Sequence, residues 1–288
     1  MRKIWGVARL RFVQLLTSVR LLFVMALALL YMLGLYRPLR EFAAISQVSI
    51  TPYPLIFVFN DQSAQLTLCA LSLALFSNAP FRDEMHDLIV ARSGRAALAA
   101  GHCLYIFMTA VFYVLVLFVM QVLICIPYFR FESDWGTMLR AIAIDTIPDS
   151  LWLRFSTNNW VMAQFKPATA LLCACALEIL CVFLLGLIVY LGNRLSKRPV
   201  GLWCSGALVV LDITISNIFP IIWNLYSPLG MARLGLHQNV SLAYGFRFFA
   251  ITSGSAIVLL ILIEKFAPKL AVMPFLRQKR RIAHERNG

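Results

Sequence analysis

Apolar residues in this chain fall in blocks of roughly 18 to 24, about the length a helix needs to cross the hydrocarbon core of a bilayer. The blocks occupy residues 19–36, 55–76, 104–126, 168–191, 202–222 and 244–263. A helix resting on a soluble core would carry its apolar residues on one side only, every three or four positions. Here they run around all sides, and the pattern predicts an all-α integral membrane protein of six transmembrane helices. Residues 1–18 read differently. Ile4, Ala8, Phe12 and Leu15 recur at helical spacing, with Arg2 and Arg9 on another side, which predicts an amphipathic helix lying in the membrane interface. The expected organisation is therefore an interfacial helix over 1–18, a six-helix transmembrane domain over 19–263 and a basic tail over 264–288.

Composition supports this reading, with 61% hydrophobic and 14% charged residues against roughly 45 to 50% and about 25% in ordinary soluble domains. The formal charge of +13 changes the picture by giving the spans a direction. With the N-terminus inside, 18 of the 26 Lys and Arg residues fall on the inner side, and the tail with Arg277, Lys279, Arg280, Arg281 and Arg286 weighs most. The other eight are Arg37, Arg40, Arg130, Arg140, Arg154, Lys166, Arg233 and Arg247. This bias predicts cytoplasmic N- and C-termini in a cell (inner) membrane. It also assigns the basic residues to orientation and to anionic lipid headgroups, so nucleic acid is not an expected partner. Arg2, Lys3, Arg9, Arg11 and Arg20 all precede or open the first apolar run, which is unlike a cleavable signal peptide, and the first span is expected to be retained.

The seven cysteines, Cys69, Cys103, Cys125, Cys173, Cys175, Cys181 and Cys204, lie in or at the ends of apolar blocks. They read as small packing residues rather than a disulfide framework or a metal site. No cofactor is expected. The four histidines form no His-Glu-x-x-His, and no Gly-x-Ser-x-Gly or Gly-x-x-x-x-Gly-Lys-Ser/Thr occurs, so the chain carries neither of those hydrolytic signatures nor that phosphate loop. No enzymatic activity is expected of it.

Two groups of residues are candidates for function. The first is the inner loop between the second and third spans, where Pro80 and Gly94 bracket a short helix. Asp83 and Glu84 fall in its first turn and Arg92 in its last, while Met85, Leu88 and Ile89 form an apolar stripe. Such a helix either rests on lipid or docks a cytoplasmic partner. The second group is acidic. Asp61, Glu178 and Asp212 lie within spans, where a charged side chain costs about 2.5 to 3.5 kcal/mol at the bilayer centre. Neither Glu178 nor Asp212 has a Lys or Arg in its own span to pair with. Ser216, one turn beyond Asp212, extends a polar stripe that either lines a transport path or packs against another helix. Asp61 belongs to the polar run Asn60-Asp61-Gln62 near the outer end of span two.

The chain resembles the permease subunits of bacterial type-2 ABC exporters. The resemblance is carried by Asn78-Ala79-Pro80-Phe81, Arg92-Ser93-Gly94-Arg95, Gly101 and Leu104-Tyr105-Ile106 around the inner loop. It is carried again by Tyr226-Ser227-Pro228-Leu229-Gly230-Met231-Ala232-Arg233-Leu234 between the last two spans, where such permeases place a short external re-entrant segment. The external segment 127–167, with Trp135, Trp152 and Trp160, departs from many members of that family. The resemblance implies a dimerising permease, with a second copy or a homologue as partner, that couples to a separate ABC ATPase subunit and exports a hydrophobic, peptide-like or lipid-like substrate. Met85, Leu88 and Ile89 would form the docking side of the coupling-type helix, with Arg92 and Arg95 as polar anchors. Two other classes fit the residues: a proton-coupled secondary transporter using the intramembrane acids, although no internal repeat supports it, and a noncatalytic sensor or scaffold.

Overall fold

The computed structural model describes residues 1–81, 86–144, 157–196 and 198–285. Among them the chain is helical, apart from turns and one isolated parallel bridge between Ile50 and Phe129. The helices are α1 (Arg2–Leu16), α2 (Val19–Ser46), α3 (Pro54–Asn60), α4 (Gln62–Leu75), α5 (His86–Ser93), α6 (Arg95–Cys125), α7 (Gly136–Ala143), α8 (Asn159–Gln164), α9 (Pro167–Ser196), α10 (Val200–Ile218), α11 (Pro228–Ala232) and α12 (Leu242–Glu285). Among the described residues α2, α6, α9, α10 and α12 are long and apolar enough to cross a bilayer. The protein is an all-α, multi-pass membrane protein.

The second apolar block, read from sequence as one helix, is two. The helix breaks at Asp61, whose backbone is extended and whose carboxylate Oδ1 accepts from the Ala64 amide at 2.8 Å and the Ser63 hydroxyl at 2.6 Å. A short polar side chain that caps the next helix competes with the backbone bonds that would carry the previous one through. The helix before the break, α3, is buried on all sides from Pro54 to Phe59. The helix after it, α4, is only 14 residues long, or roughly 21 Å at 1.5 Å per residue.

Helix α9 is central and packs against α3, α4, α6, α10, α11 and α12. In its most apolar stretch 61% of residues are buried, against 22% in α10 and 17% in α12, which therefore form the periphery. Helix α1 buries Val7, Ala8, Arg11 and Leu15, so Ala8 and Leu15 of the stripe read from spacing are buried, while Ile4 and Phe12 are half-buried. Its partner is α6: a Cβ on Gly101 would stand 2.7 Å from the Val7 side chain, and the Phe12 and Phe112 rings meet edge to face at 5.6 Å. Trp5, Val13 and Leu16 stay exposed, so α1 has one apolar side on protein and another free for lipid. Residues 264–285, expected as a basic tail, continue the last helix without a break. All seven cysteines are free, four of them buried.

At the end of the bundle that holds α1, Arg194 of α9 and Glu264 of α12 form a two-pronged ion pair, with Nη2 donating to Oε2 at 3.0 Å. At the opposite end the loops form a cap. Trp135 stacks near Tyr53 and Phe57 at 6.0 and 5.8 Å and donates from Nε1 to the Met162 carbonyl at 3.1 Å. Tyr53 donates to the Glu132 carbonyl at 2.7 Å. Of the long segment 127–167, residues 145–156, with Trp152 and Arg154, lie outside the described residues.

Candidate functional site

Two of the three acids of the apolar blocks, Asp212 and Glu178, converge on one arginine. Asp212, fully buried on α10, accepts from Arg233 Nη2 through Oδ2 and from the Ser227 hydroxyl through Oδ1. Arg233 follows α11, and each of its three guanidinium nitrogens donates a hydrogen bond. Nε donates to Gln65 Oε1 at 2.8 Å and Nη1 to Ser216 Oγ at 3.2 Å. Gln65, on α4, turns its amide nitrogen to Glu178 Oε2 at 3.1 Å, and Glu178 Oε1 accepts from Cys69 Sγ at 3.3 Å. Ser216 in turn donates to Asn224 Oδ1 at 2.9 Å. One continuous hydrogen-bonded chain thus joins α9, α4, the segment after α11 and α10.

This chain holds two carboxylates and one guanidinium, all withdrawn from solvent. Asp212 is bonded directly to the cation. Glu178 meets the cation only through Gln65, and its two oxygens are filled by neutral donors. Buried charge survives in a membrane protein when it is paired and hydrogen-bonded, and removing one partner exposes the full desolvation cost of the other.

Local sequence explains why Arg233 arrives there. Ser227 caps α11, with its hydroxyl accepting from the Gly230 amide at 3.3 Å, and Pro228 opens that helix. The turn beyond packs tightly: the Gly235 amide donates to Asn60 Oδ1 at 2.7 Å, and a Cβ on Gly235 would stand 2.5 Å from the Asn158 amide. The segment from Pro228 to Leu234 is buried throughout, so Arg233 is carried into the bundle.

Sequence reasoning paired neither Glu178 nor Asp212, because the cation comes from outside both spans and was counted among the external charges. Asp212 and Ser216 do share a side of α10, where both bond to Arg233 and Ser216 also donates to Asn224. Asp61 stands apart from this chain of bonds as the cap of α4. The sequence signal that was available is the Arg that closes the motif from Tyr226 to Leu234, in a chain with two acids in apolar blocks that lack a base in their own spans.

The second candidate is α5. Leu88 is 61% exposed, Ile89 is half-buried, and Arg92 and Arg95 are exposed. Met85 lies outside the described residues. Pro80 sits in a turn ahead of the helix, not at its first position, since Phe81 beyond it has a positive φ. Gly94, at φ 82, forms the corner between α5 and α6. The lead-in is fastened to the bundle. Phe81 is buried among His102, Tyr105 and Tyr190 at centroid distances of 5.2, 5.1 and 5.7 Å. Asn193 of α9 donates to the Ala79 carbonyl at 3.0 Å and accepts from the Gly201 amide at 2.8 Å. One asparagine thus ties the segment before α5 to the corner between α9 and α10.

Among the described residues no three His, Cys, Asp or Glu side chains gather as a metal site would require. No family model, no curated protein and no solved structure matches the chain.

Proposed function

We propose that the chain is the permease subunit of an ABC exporter, working with a separate ATPase and a second permease copy or homologue. The observation that carries this reading is α5, a short helix with exposed Leu88, Arg92 and Arg95 whose lead-in is fixed to the core helices by Phe81 and Asn193. A helix free on its outer side and bound through its root can pass a push from a partner into the bundle. Motion of α5 would reach α6 through Phe81 and α9 through Asn193.

In this reading α3 and α4 together make the remaining span, about 22 residues or roughly 33 Å if aligned. Six spans return both termini to one side, and the excess of Lys and Arg puts that side in the cytoplasm of a bacterial inner membrane. The re-entrant segment then lies at the external end, where Arg233 latches it to α4 and α10. Hydrophobic, peptide-like or lipid-like substrates suit the apolar helices. Of the residues proposed for the path, Glu178, Asp212 and Ser216 belong to the latch, and Asp61 supports it only by ending α3.

The buried pair of acids favours one rival, a secondary transporter in which Glu178 exchanges a proton as the latch opens. Purification of the full chain in mild detergent, followed by mass spectrometry of what comes with it, tests the main reading. The expected result is an ATPase with a phosphate-binding loop in equal amount, lost with Leu88→Glu or with charge reversal at Arg92 and Arg95. Reconstituted transport driven by a proton gradient without ATP would overturn it.

A further inference from the structure

The cap at the loop end of the bundle, opposite α1, holds a polar recess of about 460 Å³. Its walls include Gln47 and Ser49 beyond α2, Tyr128, Arg130 and Glu132 beyond α6, and Thr137 on α7. The two loop segments are joined at Ile50, whose amide donates to the Tyr128 carbonyl at 2.7 Å and whose carbonyl accepts from the Arg130 amide at 3.0 Å. Phe129 is extended, and in extended chain alternate residues share a side. Phe129 and Phe131 do so, with their rings edge to face at 4.9 Å. The same spacing sets Arg130 and Glu132 side by side at the recess, roughly 7 Å apart along the chain. The two charges do not neutralise each other. Arg130 is exposed and forms no ion pair among the described residues. Glu132 is held at one oxygen, where Ser49 donates to Oε1 at 2.8 Å, and Tyr53 fixes its backbone carbonyl at 2.7 Å. Its Oε2 accepts no hydrogen bond among the described residues.

The recess stands clear of the hydrocarbon. Arg37 and Glu41 of α2 form an ion pair one turn apart, with side chains 79% and 48% exposed, an arrangement that lipid tails would not tolerate. Helix α2 has therefore left the hydrocarbon by that pair, and its end at Ser46 lies roughly 14 Å beyond Arg37 at 1.5 Å per residue. On α6, Gln121 meets the Tyr36 hydroxyl at 3.2 Å and so shares its depth, while Pro127, in the wall of the recess, comes a further turn and a half along the chain. A ligand reaches this site from water. A guanidinium beside a carboxylate with one open oxygen complements a molecule that carries an acid and an ammonium at similar spacing. The volume falls within the roughly 300 to 1,000 Å³ of small-molecule sites, and the termini of an extended dipeptide stand about as far apart as two residues of chain. We infer that this recess binds a short zwitterionic peptide, with its carboxylate on Arg130 and its ammonium on Glu132. A phospholipid with an ethanolamine headgroup carries the same two charges, but its acyl chains would have to leave the hydrocarbon to bring them here. This inference goes beyond the transport reading and does not rest on it: binding is measured without an ATPase, so either can fail alone.

The full-length protein in neutral detergent can be titrated by calorimetry with alanylphenylalanine, its N-acetylated form, its C-terminal amide and dihexanoylphosphatidylethanolamine. The free dipeptide should bind about tenfold more tightly than either blocked form, each of which lacks one charge. Arg130→Gln should weaken the dipeptide about tenfold and erase its advantage over the amide. Glu132→Gln, which keeps an acceptor for Ser49, should weaken it similarly and erase its advantage over the acetylated form. Equal affinity for the dipeptide and either blocked form, or wild-type affinity in either variant, overturns the site. Tighter binding of the phosphatidylethanolamine than of the dipeptide overturns the peptide assignment in favour of a lipid headgroup. Should Glu132→Gln fail to fold, Arg130→Gln carries the test, since Arg130 is exposed. An undiminished preference for the dipeptide over its amide in that variant is then the overturning result.

Discussion

Asp212 and Arg233, 21 positions apart in sequence, form a buried ion pair between α10 and the segment that follows α11, and Ser227 and Gln65 complete the bonding of both partners. The pair fastens the segment between α10 and α12 onto the bundle. Breaking it from one side leaves a charge inside protein with no counter-ion, at a cost of about 3 to 5 kcal/mol. Asp212→Asn and Arg233→Gln should each lower the thermal midpoint sharply in detergent. The double variant, which removes both charges, should recover part of that loss. A double variant as unstable as the sum of the singles would show that the two side chains do not interact.

Glu178 differs from Asp212 in that its bonds come from Gln65 and Cys69, both neutral. Glu178→Gln keeps an acceptor for the Gln65 amide and should cost less than about 1 to 2 kcal/mol of stability. Its transport phenotype separates the two mechanisms. In the ATP-driven reading, proteoliposomes carrying Glu178→Gln and the partner ATPase should retain most of the wild-type rate. Loss of transport together with loss of gradient dependence would instead favour proton coupling.

The long apolar helices were legible because a bilayer demands unbroken runs, and α2, α6, α9, α10 and α12 each meet that demand. The break at Asp61 was harder to read. Asn60-Asp61-Gln62 reads as a polar run near the outer end of one span, and the capping bond to Ala64 distinguishes a break from a polar patch. The pairing of Arg233 was missed for another reason: counting charges by loop assigns a residue a side and not a depth, whereas Ser227, Pro228 and Gly235 fold this one into the bundle. Pairing across distant segments leaves little trace in spacing. The same holds for Arg194 with Glu264 and for Asn193 with the Ala79 carbonyl, none of which the periodicity of a single helix could announce.

The contact of α1 with α6 depends on one missing side chain. A Cβ at Gly101 would lie 2.7 Å from Val7 Cβ and 3.1 Å from the Ile4 carbonyl oxygen. Gly101→Ala should therefore destabilise by about 1 to 3 kcal/mol, as overpacking does. Val7→Ala removes the Cγ atoms but keeps the Cβ, so it should restore only part of that loss. A double-variant cycle by thermal unfolding should yield a coupling of about 0.5 kcal/mol or more. Additive effects would mean that α1 lifts away from α6 at little cost.

His237, in the turn between α11 and α12, is buried, and its Nε2 lies 3.2 Å from the Met231 carbonyl oxygen. Burial pushes its imidazole below the usual histidine range, and nearby backbone groups only partly oppose the shift. The folded state thus holds fewer protons on this ring than the unfolded state does near and below the ordinary value of about 6.5. By linkage, the contribution of the neutral ring is fully present above that value and is lost as pH falls through the window between the unfolded and folded values. Acidification from about pH 7 to about pH 5 should therefore lower the thermal midpoint of the wild type more than that of His237→Gln, which cannot titrate. Both proteins carry the same carboxylates, so the difference between the two curves isolates the imidazole. Parallel curves would mean that the ring keeps its proton affinity on folding and that the turn it occupies opens readily to water.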